Sequence, residues 1–319
     1  MKFLILSSPL SYSLCRPPYA IAEILSKHGH ACTVYSMPRP GLVVALRPLL
    51  GARVRRDTAI VDSTACAVAA ALLGTRFVFA VADFDAAWHR RIPLWPLLLQ
   101  LLLRRARPLL AWNTAARNEL IRLGLPRAAV RLAMPPPAVE PNARPYDGAD
   151  RRVITAFLPG QPQSAAAVLR AVAVVLESEP NVQLYATCAR ADLEGLEHRV
   201  AAMGLEANIR LSAEEDTPPL PGNAIAVVFC AKSERPNAAF ALDAMAVGMP
   251  IAAAIHPHVG DWLRHEESAL LVPPGDETGL ADAIVRLLRT PALAQAIGEH
   301  ASQRIMARHQ PGDFLALFT

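Results

Sequence analysis

The sequence predicts an α/β protein of two doubly wound parallel sheets, on three observations. Short apolar runs alternate with helical stretches along most of the chain. The runs are continuously apolar, as strands buried on both faces are, rather than polar and apolar by turns. The series is broken at Met134–Asp150 by a proline cluster with no apolar period, the best place for a domain boundary. A chain of 319 residues suits about two domains of ordinary size.

In chain order, Phe3–Leu6 is the first strand, Tyr19–His28 the helix after it, closed by Gly29, and Ala31–Tyr35 the second strand, which completes a βαβ unit. Strand Ala59–Val61, helix Ala65–Leu73 and strand Arg76–Val81 repeat the pattern. Strand Leu109–Trp112, helix Ala115–Leu123 and strand Val130–Ala133 repeat it again. Ser63-Thr64 and Asn113-Thr114 stand where helix caps belong. Beyond the boundary come strand Val153–Phe157, helix Ala165–Glu177, strand Val182–Thr187, helix Leu193–Met203 and strand Ile209–Leu211. Strand Ala224–Phe229, helix Pro236–Val247, strand Ile251–Ala254 and helix Glu277–Leu288 follow. Ligands of such sheets bind outside the carboxyl ends of the strands, here expected in a cleft across which the two domains face.

Composition narrows the function classes. At 53% hydrophobic and 19% charged the chain is too apolar for disorder. Its net charge of +4, from 32 basic and 28 acidic residues, is too weak for a dedicated nucleic-acid binder. Cys15, Cys32, Cys66, Cys188 and Cys230 are scattered and form no C-x-x-C or zinc spacing, which predicts free thiols in a reducing compartment. The apolar start Met1–Leu6 is too short for a signal-peptide core and ends at Ser7-Ser8-Pro9, so it reads as a strand of a cytoplasmic domain. The sequence has no G-x-G-x-x-G after the first strand and no Walker A, H-E-x-x-H or G-x-S-x-G, which excludes the chemistries those motifs carry.

The informative stretch is Ser233–Asp276. In Asp243-Ala244-Met245-Ala246-Val247-Gly248-Met249-Pro250 a helix is closed by Gly248 and a strand restarts after Pro250. Phe240, Ala241, Ala244, Met245 and Gly248 share one helical face. Asp243 lies roughly 130° from its centre and is expected to face solvent or a cleft.

Asp243–Pro250 together with Leu271–Asp276 (Leu-Val-Pro-Pro-Gly-Asp) resembles the C-terminal domain of the family-4 retaining glycosyltransferases, whose architecture is the two-domain GT-B fold. Gly29–Val34 and Leu109–Arg117 resemble the family's N-terminal domain more weakly. The resemblance implies an acceptor-side Rossmann-like domain at 1–145, a donor-side one at 146–300 and a helical tail at 301–319 that packs back on the first. It implies that Asp243 holds the ribose hydroxyls of a nucleotide-sugar donor and that a preceding acid, Glu234, contacts the sugar. In strict register Arg235 stands where the family has that acid. Lys232, Arg235, His256, His258 and Gly260 complete the donor-side set, the cations in place of the family's usual ones. Ser11-Tyr12-Ser13 stands where the family has a Gly-Gly loop, Pro159–Ser164 where it has Arg and Lys, Pro257-His258 for a Gly-Gly turn, Ala269 for a glycine and Ala82 for a His.

Each candidate also has a plainer reading. Glu234 complements a helix dipole as well as it contacts a sugar. Asp83 and His89, just past a strand end, are candidates for acting on an acceptor hydroxyl or for capping the next helix. His256-x-His258 lacks a third metal ligand and reads as a loop pair. Arg90–Arg107 is an arginine-flanked leucine helix, begun by Pro96, in a stretch with no acid from residue 86 to 118. Its leucine run is about half of what spans a bilayer, so it either packs in the core or lies on an anionic membrane surface.

The function expected is therefore transfer of a sugar from a nucleotide-sugar donor to a glycan, lipid-linked or small-molecule acceptor, with retention. No cofactor or obligatory metal, and no nucleic acid, is involved. The location is the cytoplasm, with peripheral attachment to the inner membrane face if the leucine helix meets lipid. The alternative is a binding or scaffold protein of the same fold that has lost catalysis. It is suggested by the missing glycines and phosphate-binding cations.

Overall fold

The computed structural model describes residues 1–7, 17–36, 42–55, 57–81, 94–137, 139, 146, 148, 151–213, 220–221, 223–308 and 316. The chain divides into two compact units, Met1–Ala138 and Val139–Arg308. The expected tail at 301–319 lies, from 309 on and but for Ala316, outside the described residues, and position 300 falls inside one continuous helix, Pro291–Arg308.

The first unit is a six-stranded parallel sheet in the order β2-β1-β3-β4-β5-β6. Its strands are β1 (Lys2–Ser7), β2 (Ala31–Ser36), β3 (Thr58–Val61), β4 (Phe77–Val81), β5 (Leu109–Ala111) and β6 (Val130–Leu132). The crossovers carry α1 (Pro17–Lys27), α2 (Leu42–Arg55), α3 (Thr64–Leu73), α4 (Trp95–Leu103) and α5 (Thr114–Leu123). Both sheet faces are covered, which is why these strands read as unbroken apolar runs. Ile21 and Leu25 of α1 pack on Phe3, Ile5, Ile60 and Val78, while α2 to α5 pack on the opposite face around Leu4, Val61, Phe77 and Phe79. Ser63 and Asn113 are N-caps as expected, accepting the N–H groups of Cys66 at 3.4 Å and Ala116 at 2.7 Å. Helix α2 was not anticipated from the sequence.

The second unit is also a six-stranded parallel sheet, ordered β12-β11-β10-β7-β8-β9. Its strands are β7 (Arg152–Ala156), β8 (Gln183–Cys188), β9 (Ile209–Ala213), β10 (Ile225–Val228), β11 (Ile251–Ala254) and β12 (Leu270–Val272). Its helices are α6 (Pro162–Ser178), α7 (Arg190–Ala202), α8 (Ala238–Ala246), α9 (Glu277–Arg289) and α10 (Pro291–Arg308). The chain runs outward from β7 through β8 and β9, then returns to the other side of β7 as β10. The carboxyl ends of β7 and β10 therefore form the topological switch point, where open α/β sheets take ligands. Strand β12 and helix α10 are the elements here that the sequence reading lacked.

Candidate functional site

The switch point of the second unit is built from the turn Phe229–Asn237 after β10 and the first turn of α6. Helix α6 begins Gln161-Pro162, and Gln161 provides no side-chain cap. The unpaired N–H groups of a helix start need an acceptor, and it comes from the other loop. The Glu234 carboxylate accepts the N–H of Ser164 at 2.6 Å and that of Gln163 at 3.2 Å, and the Ser164 hydroxyl donates to it as well. The same hydroxyl accepts the Ala231 N–H at 3.0 Å. Arg235 N–H donates to the Gln161 side-chain oxygen at 3.3 Å, and Ser233 Oγ to that of Gln163 at 3.1 Å. Glu234 thus holds the β10 loop to the start of α6, where its charge complements the helix dipole. Gln161, Gln163 and Ser164 are site residues that the sequence reading missed. The signal that pointed to them is a helix start with no Ser, Thr, Asp or Asn of its own at the cap.

Arg235, His256 and His258 come together at the ends of β10 and β11. The histidine rings meet edge to face with centroids 4.8 Å apart, and His258 N–H donates to His256 Nδ1 at 3.3 Å. Burial pushes the His258 imidazole down to about 4, helped by His256 and the Arg235 charge. His256 is lowered by burial and then by Arg235, and burial also lowers the Arg235 guanidinium. At neutral pH the cluster is one guanidinium beside two uncharged imidazoles. Gly260 closes its far side, its N–H donating to the His256 carbonyl at 2.9 Å.

Lys232 is exposed, and its stem runs beside Gly275: a Cβ there would sit 3.2 Å from Lys232 Cγ. Gly275 has φ +75°, which glycine adopts without strain, and its N–H donates to the Cys230 carbonyl at 3.1 Å. Asp276 caps α9 by accepting the Gly279 N–H at 2.9 Å. The Pro-Pro-Gly-Asp motif is thus a turn that fits against the β10 loop and starts a helix. Beneath the loop, burial and the Glu234 charge push the Cys230 thiol up to about 12, so it stays protonated.

Asp243 does not stand in open solvent: it is 9% exposed, on a helix whose residues from Phe240 to Ala246 are all buried. Helix α10 packs against α8, with Gly298 set close to the Gly248 turn that ends it. Asn237 starts α8 by accepting the Phe240 N–H at 3.1 Å, and its amide donates to the Ala156 carbonyl at the end of β7 at 3.3 Å. Asp83 and His89 lie outside the described residues. Among the described residues, no group of three or more His, Cys, Asp or Glu is placed to hold a metal ion.

Residues 154–290, from β7 to the end of α9, match the family described as Glycosyl transferases group 1. In fold the chain is similar to HepE of Anabaena, solved with UDP and glucose, at a TM-score of 0.73 and 17% identity, over 100% of this chain and 98% of that one. It is also similar to sucrose-phosphate synthase of Thermosynechococcus elongatus, at 0.72 and 14%, again over 100% and 98%. The fold is GT-B. The domain match and these neighbours support a glycosyl transferase. A sequence relative, an exopolysaccharide phosphotransferase of Streptomyces coelicolor, is 43% identical over 63 residues, which span 19% of this chain and 7% of that protein's length.

Proposed function

We propose that the protein is a retaining glycosyltransferase whose second unit holds a nucleotide-sugar donor and whose first unit presents an acceptor hydroxyl. The observation that carries this reading is the family match. It covers residues 154–290 and therefore every donor-side residue named above. In the reaction, the bond from the sugar's anomeric carbon to phosphate breaks, and the acceptor oxygen bonds to the same face of that carbon. The leaving nucleoside diphosphate carries concentrated negative charge, which preorganised donors and cations stabilise. Arg235 with His256, His258 and the exposed ammonium of Lys232 are the groups we assign to that charge, with no metal. Asp243 is the candidate for the ribose and Glu234 for the sugar; the hydrogen bonds of Glu234 to α6 support at least a positioning role. Asp83 and His89 are the candidates that act on the acceptor. The structure of HepE with UDP-glucose makes UDP the first nucleotide to try.

The test is thermal melting of the full chain against UDP, GDP, ADP, TDP and CMP. A ligand at about 100 times its dissociation constant adds about 2.7 kcal/mol to the folded state, a rise of several degrees. One nucleotide should produce that rise, and Asp243→Ala should abolish it. If none shifts the melting curve at millimolar concentration, the donor site is refuted and the scaffold alternative takes its place.

A further inference from the structure

Helices α2, α3 and α4 of the first unit contain no acidic residue. They lie side by side, tied by two hydrogen bonds. Thr75, past the end of α3, donates to the Leu49 carbonyl of α2 at 3.4 Å, and Arg105, past the end of α4, donates to the Ala71 carbonyl of α3 at 2.9 Å. Helix α4 is apolar on two sides. Leu99, Leu102 and Leu103 are buried against the sheet, while Leu94, Leu97, Leu98 and Leu101 are 77%, 63%, 47% and 59% exposed. The exposed four recur at i, i+3, i+4 and i+7, which makes them one stripe. Leu50 of α2 and Leu72 of α3, each next in sequence to one of the accepting carbonyls, are 50% and 62% exposed. Arg47, Arg53, Arg104, Arg105 and Arg107 are exposed along the same helices and the turn after α4.

Single exposed leucines are ordinary, but four in one stripe on a helix without acids, followed by the exposed Arg104, Arg105 and Arg107, make a built surface. We infer that this face docks on an anionic lipid bilayer, with the leucines entering the acyl boundary and the arginines meeting lipid phosphates. No helix among the described residues is long and apolar enough to cross a membrane. Helix α4, at nine residues, is about 14 Å long against a hydrocarbon core of about 30 Å, so it lies in the interface and does not span it. The charge pattern selects lipid over a second copy of the chain. A two-fold symmetric contact would bring one copy's arginines to the other's, whereas anionic headgroups supply the opposite charge.

The experiment is co-sedimentation of the full chain with vesicles of phosphatidylcholine alone and with about 30% phosphatidylglycerol added. The protein should bind the anionic vesicles in preference, and less as salt rises. Leu97→Glu with Leu101→Glu should lower partitioning by about tenfold or more, with circular dichroism showing an intact fold. Arg47→Gln with Arg104→Gln, changes confined to exposed groups, should weaken binding to the anionic vesicles and lessen its salt dependence. No binding, equal binding to both vesicles, or partitioning that neither double variant changes would overturn the inference. So would a concentration-dependent dimer that the leucine variants dissolve, since that assigns the face to a second copy.

Discussion

His258 shows how burial sets chemistry at the level of one side chain. An exposed imidazole gains its proton near 6.5, whereas His258, buried against His256 and near Arg235, waits until about 4. Between those two values the unfolded chain binds the extra proton and the folded chain does not, so stability falls as pH falls from about 6.5 to 4 and is unaffected above that window. His256, also lowered, adds in the same direction. His258→Gln removes the larger contribution. Urea titrations at pH 7 and near pH 4 should show the wild type losing on the order of 2 kcal/mol more than the variant across the window. Equal losses would mean that His258 is hydrated in solution. A bound nucleoside diphosphate reverses the local charge. It should raise both imidazoles and make its own binding tighter toward mildly acid pH.

At the scale of elements, two helices went unread, each for a physical reason. Helix α10 buries Ala294, Ile297, Gly298, Ala301, Ser302 and Ile305, a regular helical stripe made mostly of alanine, glycine and serine. Such a stripe carries little hydrophobic signal although its geometry is helical. Helix α2 was hidden for a different reason: it contains Pro48 and Gly51, poor helix formers. Burial of Ala45, Leu49 and Ala52 against the first sheet outweighs them. The strands other than β12 and the remaining helices were legible because most of their runs are apolar throughout or amphipathic. Of the donor side, the loop charges and the motif ends were legible as types, but the partners of Glu234 were not, because glutamine and serine at a helix start look like ordinary surface. The small residues of α10 have a sharper consequence. A Cβ on Gly298 would lie 2.1 Å from the Gly248 carbonyl oxygen and 3.1 Å from its carbon, backbone atoms that cannot turn away. Alanine is the better helix former by about 1 kcal/mol, yet Gly298→Ala should destabilise the protein by about 2–3 kcal/mol through overpacking. A melting temperature equal to or above that of the wild type would show that α10 slides freely on the Gly248 turn.

At the scale of the molecule, each sheet has a core of its own. The buried clusters of the first unit draw on residues from Phe3 to Val130, and that of the second on residues from Tyr146 to Ile297. A unit with a complete core folds alone, so a fragment of residues 139–308 should be soluble and melt cooperatively. The choice of start matters. Tyr146, within the proline-rich connection, is only 2% exposed and belongs to the second core, and a Cβ on Gly148 would lie 2.6 Å from Pro291 Cγ at the start of α10. This part of the connection packs as structure of the second unit. A fragment begun at 151 should therefore be less stable than one begun at 139 by about 3 kcal/mol, the usual cost of deleting a buried aromatic side chain, read from the urea midpoints of the two. The longer fragment also tests where the donor binds. If Asp243, Arg235, His256 and His258 suffice for the nucleotide, it should show the same melting shift with the nucleotide that stabilises the full chain. A fragment that folds but gives no shift would move part of the donor site outside the second unit, and it would do so without touching the family match over residues 154–290.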